Sequence, residues 1–463
     1  MNDRKGFGSN FGFLMAAVGS AVGLGNIWGF PNKMGANGGF PFLILYLALA
    51  LCCGVIIMLG ELALGRKTGH GAVGAYQSIS KRFKWLGWLG IAAAALIFSF
   101  YSALGGYCLR YVVVNFGNLI GAEFGTNGVG GADVFQGLLS QPDVSIAFAL
   151  AFMLITMLVV MSGVGGGIER VCSVGMPALF FILIICIIRS CTLPGAADGL
   201  KYMFVPGWAV ANGIIDEAPG FWRVLTAAGG QMFFSLSLGA GVMITYGSYL
   251  DKKQDLGKSA MIIVGMDTVV ALMAGLCVIP GRFALDPNGA LGGPELLFIT
   301  MQNVFDKMGP AGPVFGILFY LLVFFAAISS SISMLEVIVA HFCDKAREKG
   351  KGDRRKLYSA IAVVICAALC ALVCADGMGS NHISPAELLG LAGAKLPGWS
   401  TSWLGLFDSV AEGLLMPLGA LLMCLMISWE LKPDTLRQEI LLNGENRRSE
   451  EHTSELQSRI DIS

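Results

Sequence analysis

Residues 19–26 read Gly19-Ser20-Ala21-Val22-Gly23-Leu24-Gly25-Asn26, in the middle of the first long apolar segment, 11–31. A helix crossing a bilayer has no evident use for three glycines and an asparagine at mid-depth. Glycine lowers the cost of leaving helical φ/ψ, and backbone polar groups freed inside a bilayer must find a partner. A broken membrane helix is therefore tolerated where its bare carbonyl and N–H groups line a site. The competing reading is that the glycines only let helices approach closely, as small-xxx-small patterns do. The stretch by itself leaves both readings open.

Composition fixes the solvent. The chain has 463 residues, of which 55% are hydrophobic and 13% charged, and its mean hydropathy is +0.70. Soluble domains carry about 25% charged residues, so most of this chain must face lipid or other apolar helices. The formal net charge is zero, which gives no reason to expect a nucleic-acid partner. Most of the twelve cysteines, Cys52, Cys53, Cys108, Cys186, Cys366, Cys370 and Cys374 among them, lie inside apolar runs. That distribution argues against a disulfide framework and against a zinc site. The first apolar run lacks a small-residue cleavage site and continues as a full span, so no cleaved leader is expected.

A spanning helix needs about 20 apolar residues. Ten segments meet that measure: 11–31, 40–64, 85–114, 144–164, 171–188, 224–249, 259–279, 314–342, 357–375 and 403–429. Basic residues set the orientation. With the N-terminus inside, Arg66, Lys67, Lys81, Arg82, Lys84 and the run from Lys345 to Lys356 fall in inner loops, and far fewer fall outside. The outer segment 115–143 reads as a long Gly-rich loop. A second outer stretch, 294–308, has helical spacing and reads as a surface or re-entrant helix over the mouth.

The sixth segment repeats the oddity of the first. Gly229-Gly230-Gln231-Met232-Phe233-Phe234-Ser235-Leu236-Ser237-Leu238-Gly239-Ala240-Gly241 again puts glycines and hydroxyls at mid-membrane. Segments one and six are corresponding members of two five-helix halves. Interrupted helices at matching positions point to an inverted-repeat transporter with its site at the bilayer midplane. The expected fold is an all-α integral membrane protein, a five-plus-five helix bundle with broken first and sixth helices. Residues 1–447 form one transmembrane domain on this reading, with repeats at about 11–190 and 224–430.

Ionisable groups at membrane depth default to functional roles, and four stand out: Glu61, Asp267, Glu336 and Asp408. Asp267 has only Thr268 for polar company in its own segment, so a bound Na⁺ or a proton is the natural partner. Ser329-Ser330-Ser331 places three hydroxyls in the eighth segment. Such hydroxyls can simply bond back to the preceding turn. Together with carbonyls from Gly19 and Val22 they would also build an all-oxygen cage, which hard cations prefer. The segments contain no HExxH, GxSxG or Walker pattern, so neither an intramembrane enzyme nor an ATP-driven pump is expected.

These residues carry a resemblance. The stretches GSAVGLGNIWGFP (19–31), NGGFPFLILY (37–46), GELALGR (60–66), SFYSALGGY (99–107), IRSCTLPGA (188–196), GQMFFSLSLGAGVMITYGSYL (230–250), DTVVALMAG (267–275), FFAAISSSIS (324–333) and EGLLMPLGALL (412–422) resemble the neurotransmitter:sodium symporter family, in particular its bacterial amino-acid transporters. The resemblance runs from about residue 4 to 429 and implies a leucine-transporter-like fold. It also implies two sodium sites. One uses the Ala21 carbonyl, Asn26, Ser235, Asp267 and the substrate carboxylate. The other uses the Gly19, Val22 and Ala326 carbonyls with the Ser329 and Ser330 hydroxyls. The substrate would lie against Ala21, Gly23, Gly25 and Tyr101, with Phe233 and the lid Phe234 beside it. Its side chain would meet Ile97, Phe234, Ser237, Ala240 and Met334. Arg4, Asp344 and Tyr249 match the inner gate, where Phe7 replaces a usual tryptophan.

Relatives that carry amines have an acid where this chain has Gly23, so the resemblance implies an amino-acid substrate, neutral and either apolar or aromatic. Chloride-dependent relatives use a hydroxyl where this chain has Ala271. Tyr46, Gln231 and Ser235 persist from that region, Asp267 supplies a fixed negative charge, and chloride-independent transport is expected. The family usually carries an arginine at the position of Gly29, paired with the acid matching Asp408. Here Asp408 lacks that partner, and outer closure must use Tyr101 and Phe234, a water bridge or another cation. A sodium-leak channel or a non-transporting amino-acid sensor could keep the same sites. The bacterial inner membrane, with a cytoplasmic N-terminus, is the expected location. Residues 448–458 read RSEEHTSELQS, as a translated sequencing adapter would, so 448–463 are expected to be a non-native tail.

Overall fold

The first segment is broken where its glycines predict. In the computed structural model, which describes residues 7–126, 128–288, 291, 293, 295–352, 354–391, 398–431 and 434–442, α1 (Asn10–Ala21) and α2 (Gly25–Ala36) meet at a 43° bend. Ser9 starts α1 by accepting a hydrogen bond from the Gly12 N–H at 2.9 Å. Val22 ends it by turning to an extended ψ of 105°. Each helix end leaves unsatisfied backbone groups, and here those ends face the middle of the bundle.

Four continuous helices lead to the other broken one, the first three being α3 (Phe40–Thr68), α4 (Leu86–Ile120) and α5 (Pro142–Met161). After them come α6 (Val164–Cys191), then α7 (Phe221–Ser235) and α8 (Val242–Gly247). Residues 236–241 between the last two are not helical. Ser237, Gly239 and Gly241 take φ of 53°, 82° and 74°, a region that costs glycine little and other residues more. At Gly239 the reason is also steric, because a Cβ there would stand 2.0 Å from the Met416 carbonyl oxygen. Neither arm alone is long enough to cross a bilayer, whereas the combined segment 224–249 matches the expected sixth span. The chain closes with α9 (Leu256–Leu285), α10 (Gly309–Glu348), α11 (Arg355–Gly379) and α12 (Trp403–Leu431).

Eight of these helices have the length and hydropathy to cross a membrane unbroken, and the α1–α2 pair makes a ninth. Their burial differs with their place. The most apolar window of α4 is 78% buried, against 28% for α6, so α4 is an inner helix and α6 shows most of its surface to lipid. The most extensive pairing in the bundle is α4 with α10, and α1 packs against α6, α9 and α10. The broken stretches thus sit among α4, α9 and α10.

Two outer segments are more ordered than a loop reading suggests. The third span does not stop at 114 but continues to Ile120, since Asn115 is buried and donates to Gln302 Oε1 at 2.9 Å. Inside the expected loop lies a further helix, Gly131–Leu139. The stretch expected to cover the mouth forms Leu296–Thr300 and Met301–Asp306, with Leu296, Leu297, Phe298, Val304 and Phe305 buried. The Tyr320 hydroxyl of α10 pins it by donating to the Leu297 carbonyl at 3.0 Å. The expected tail, 448–463, lies outside the described residues.

Candidate functional site

Asp267, on α9, is fully buried and reaches the break between α1 and α2. Asn26 Nδ2 donates to its Oδ1 at 2.7 Å and to its carbonyl at 3.0 Å. The Ser235 hydroxyl, at the end of α7, donates to Oδ2 at 2.9 Å. Tyr46 reaches the same oxygen at 3.3 Å. The segment's single polar neighbour therefore gives way to donors from α2, α3 and α7. All of them are neutral, and among the described residues Asp267 makes no ion pair. A buried carboxylate without a compensating cation is costly.

A second oxygen cluster lies on the α1 side. Ser329 Oγ is 3.3 Å from the Val22 carbonyl and 3.0 Å from that of Ala326. Ser330 Oγ lies 3.4 Å from the Gly19 carbonyl, 3.1 Å from that of Ser20 and 3.4 Å from that of Val22. The expected ligands are thus brought together, and the Ser20 carbonyl joins them. Ser331, the third of the run, turns away and contacts Thr156 Oγ1 at 2.9 Å.

Beside the second cluster lies a small cavity, about 10 Å³ in volume. Ala21, Gly23, Gly25, Ile97, Tyr101, Phe234, Ser237 and Met334 line it as expected, with Ser20 and Ser330 in addition. Phe233 and Ala240 are not on its wall. Phe233 packs, partly buried, against the core, and the Ala240 carbonyl lies towards Gly90 of α4. Gly23 is a glycine for want of space: a Cβ there would come within 2.2 Å of Ser330 Oγ and 2.4 Å of the Tyr101 hydroxyl. The Tyr101 oxygen accepts from the Leu24 N–H at 2.7 Å, which leaves its own proton to donate to an anion. Tyr101 and Phe234 are both buried, with ring centroids 6.5 Å apart.

The freed backbone groups of the breaks find polar side chains. Gln231 Nε2 donates to the Gly25 carbonyl at 2.6 Å, and the Ser237 hydroxyl donates to the Ser20 carbonyl at 3.1 Å. Glu61 accepts from the Gly239 N–H at 2.6 Å and faces the backbone of Met243 and Ile244 at the start of α8. An anion at a helix N-terminus is favoured there. Glu61 thus has a local backbone role that its segment alone did not disclose.

At one end of the bundle the Tyr249 hydroxyl donates to Glu336 Oε1 at 2.6 Å. Arg355 grips the same carboxylate with two nitrogens, at 2.5 and 3.0 Å. Glu336 was singled out by its depth, but Arg355 was hidden in a basic loop run. Asp344 accepts from the Gly71 N–H at 3.2 Å, and Arg4 lies outside the described residues. Phe7 packs in an aromatic cluster with Phe13, Tyr246 and Tyr249. At the opposite end Lys33 forms an ion pair with Glu412, and Asp408 lies beside both. Neither Lys33 nor Glu412 was picked out in the sequence, although Glu412 opens one of the family-like stretches.

The sodium:neurotransmitter symporter family matches residues 4–127 and 132–385. The chain belongs to this family. It is 37% identical over 446 residues to an uncharacterised sodium-dependent transporter, YhdH, of Bacillus subtilis, covering 95% of this chain and 90% of the other. A second uncharacterised sodium-dependent transporter, from Methanocaldococcus jannaschii, is 30% identical over 459 residues, covering 95% and 84%. Among solved structures, MhsT in complex with L-phenylalanine superposes with a TM-score of 0.80 at 35% identity, covering 94% of this chain and 93% of that one. This symporter-family chain is therefore a sodium-dependent membrane transporter of the leucine-transporter-like fold, in the bacterial branch, and not an enzyme.

Proposed function

We propose that this transporter couples inward Na⁺ movement to uptake of a neutral, apolar or aromatic amino acid. The observation that carries the reading is the cavity wall at Gly23. It has no room for the acid that an amine substrate would need, and it is bordered by the Tyr101 hydroxyl and the Asp267 cluster. A substrate carboxylate supplies the missing anion, and one Na⁺ bridges it to Asp267, Asn26, Ser235 and the Ala21 carbonyl. The second Na⁺ takes the Gly19, Val22 and Ala326 carbonyls with Ser329 and Ser330. The relative MhsT, solved with L-phenylalanine, supports an apolar side chain facing Ile97, Phe234 and Met334.

Transport is chloride-independent on this reading, because the Asp267 carboxylate stands where a mobile anion would otherwise balance the cation. Residues 1–447 act as one domain of two inverted repeats, in a bacterial inner membrane with the N-terminus in the cytoplasm. Sodium binding orders the α1–α2 break and favours outer opening, and substrate permits closure. Each ligand shifts the balance only by its differential affinity for the two states. Arg4, Asp344 and Tyr249 close the inner side.

The test is uptake of a panel of labelled neutral and charged amino acids into proteoliposomes, under an inward sodium gradient. Leucine, phenylalanine or tryptophan should accumulate, and replacing chloride by gluconate should not change the rate. Uptake of charged amino acids alone would overturn the substrate class, and a large loss in gluconate would overturn chloride independence. Counterflow of labelled substrate separates a transporter from a sensor, which binds without exchange.

A further inference from the structure

Gly29 leaves the outer end of the first broken helix without the charge that this family usually places there, yet an ion pair spans the same region. Lys33 stands one turn further along α2 from Gly29, on the same face. Its partner, Glu412, follows Asp408 by the same spacing on α12. The Lys33 and Glu412 side chains are only 22% and 11% exposed, and Asp408 is close enough to hydrogen-bond Glu412 while feeling the Lys33 charge.

The position of Glu412 is what gives the pair a function. It lies over Gly230 of α7, where a Cβ would come within 2.7 Å of its Oε1. Gly230 is one turn before Phe234, the ring that covers the cavity. The ion pair therefore ties α2 and α12 together across α7, immediately above the lid. Gly230 makes room for the carboxylate. Below the pair Gly29 makes room for Gln231: a Cβ at Gly29 would stand 2.9 Å from the buried Gln231 Oε1, which has no hydrogen-bond partner among the described residues.

We infer that Lys33 and Glu412, with Asp408 beside them, form the outer gate of this transporter in place of an ion pair at position 29. The inference rests on the alternating-access reading above. Lys33 and Glu412 are positioning residues: they hold the outer ends of α2 and α12 closed over Phe234. Desolvation offsets much of the attraction within a pair this sheltered from water, but removing one partner leaves the other charge poorly compensated. Loss of either partner should then free the outer end to open.

The test uses Gly29→Cys in the full chain as a reporter below the gate, labelled from outside by a membrane-impermeant charged thiol reagent in sodium medium. The parent protein's own cysteines give the background. Lys33→Gln and Glu412→Gln should each speed labelling of the introduced thiol about tenfold, a usual size for coupling between conformational states. The swap K33E/E412K should return the rate towards that of the parent. Each variant's amount in the membrane is measured alongside, and having two single variants guards against one that fails to fold. Unchanged rates in both single variants overturn the gate. So does a swap that labels as fast as the single variants, since a pair that only fills space would not be rescued by exchanging its charges. The labelling uses no amino-acid substrate. Failure of the symport reading would appear separately, as absence of sodium-dependent uptake.

Discussion

Asp267→Asn isolates the charge at the first proposed sodium site, because it keeps the shape of the side chain. In the wild type this carboxylate is fully buried and is met by Asn26, Ser235 and Tyr46, all neutral. At roughly 3 Å and an effective dielectric of about 20, a full carboxylate charge attracts a monovalent cation by about 5 kcal/mol. The amide oxygen recovers part of this through its dipole, and the amide is also easier to bury. A net loss of about 2–4 kcal/mol weakens sodium binding by about thirty- to a thousandfold. The assay is sodium titration of phenylalanine binding to purified protein in chloride-free buffer. A sodium affinity within threefold of wild type would refute the reasoning, because Asp267 would then not face the ion.

Adding Ala271→Ser to Asp267→Asn should make uptake depend on chloride, read as loss of rate when gluconate replaces it. Gly23→Asp should abolish sodium-dependent binding of amino acids, since its Cβ would collide with Ser330 Oγ and the Tyr101 hydroxyl; saturable phenylalanine binding in this variant would contradict the cavity geometry. Ser329→Ala removes a hydroxyl 3.3 Å from the Val22 carbonyl, and should cost about 1–2 kcal/mol of sodium binding, about five- to thirtyfold in affinity; an unchanged sodium dependence of uptake would exclude that hydroxyl as a ligand. Glu61→Gln weakens the charged bond to the Gly239 N–H and should lower stability by about 1–3 kcal/mol, seen as a lower midpoint of thermal unfolding.

Much of the fold was legible because its cause is local. Twenty-residue apolar runs report their own solvent, and glycines clustered with polar residues at the middle of one report a break, although Gly105 and Gly106 lie inside the unbroken α4. Such clusters are Gly19–Asn26 and Gly229–Gly241, whose spacing foretold two interrupted helices and, through them, a site at mid-depth. The approach of Ser329 and Ser330 to the Gly19 and Val22 carbonyls could be anticipated from consecutive hydroxyls in an apolar helix. The extension of α4 to Ile120 was not legible, because the bond that holds it comes from Gln302, far along the chain. Arg355 and Lys33 were hidden for the opposite reason: each sits near other charged or polar residues and looks like ordinary boundary chemistry.

The sequence by itself determined that this chain lies in a membrane, that its first and sixth helices are broken, and that a carboxylate, Asp267, lies within one of its apolar segments. These follow from residue types and their spacing along one segment. Only the tertiary structure decided which side chains answer the freed backbone groups, that Gly23 has no room for a side chain, and that Lys33 meets Glu412 above Phe234. Those facts depend on distances between segments hundreds of residues apart, and no single segment carries the information that sets them.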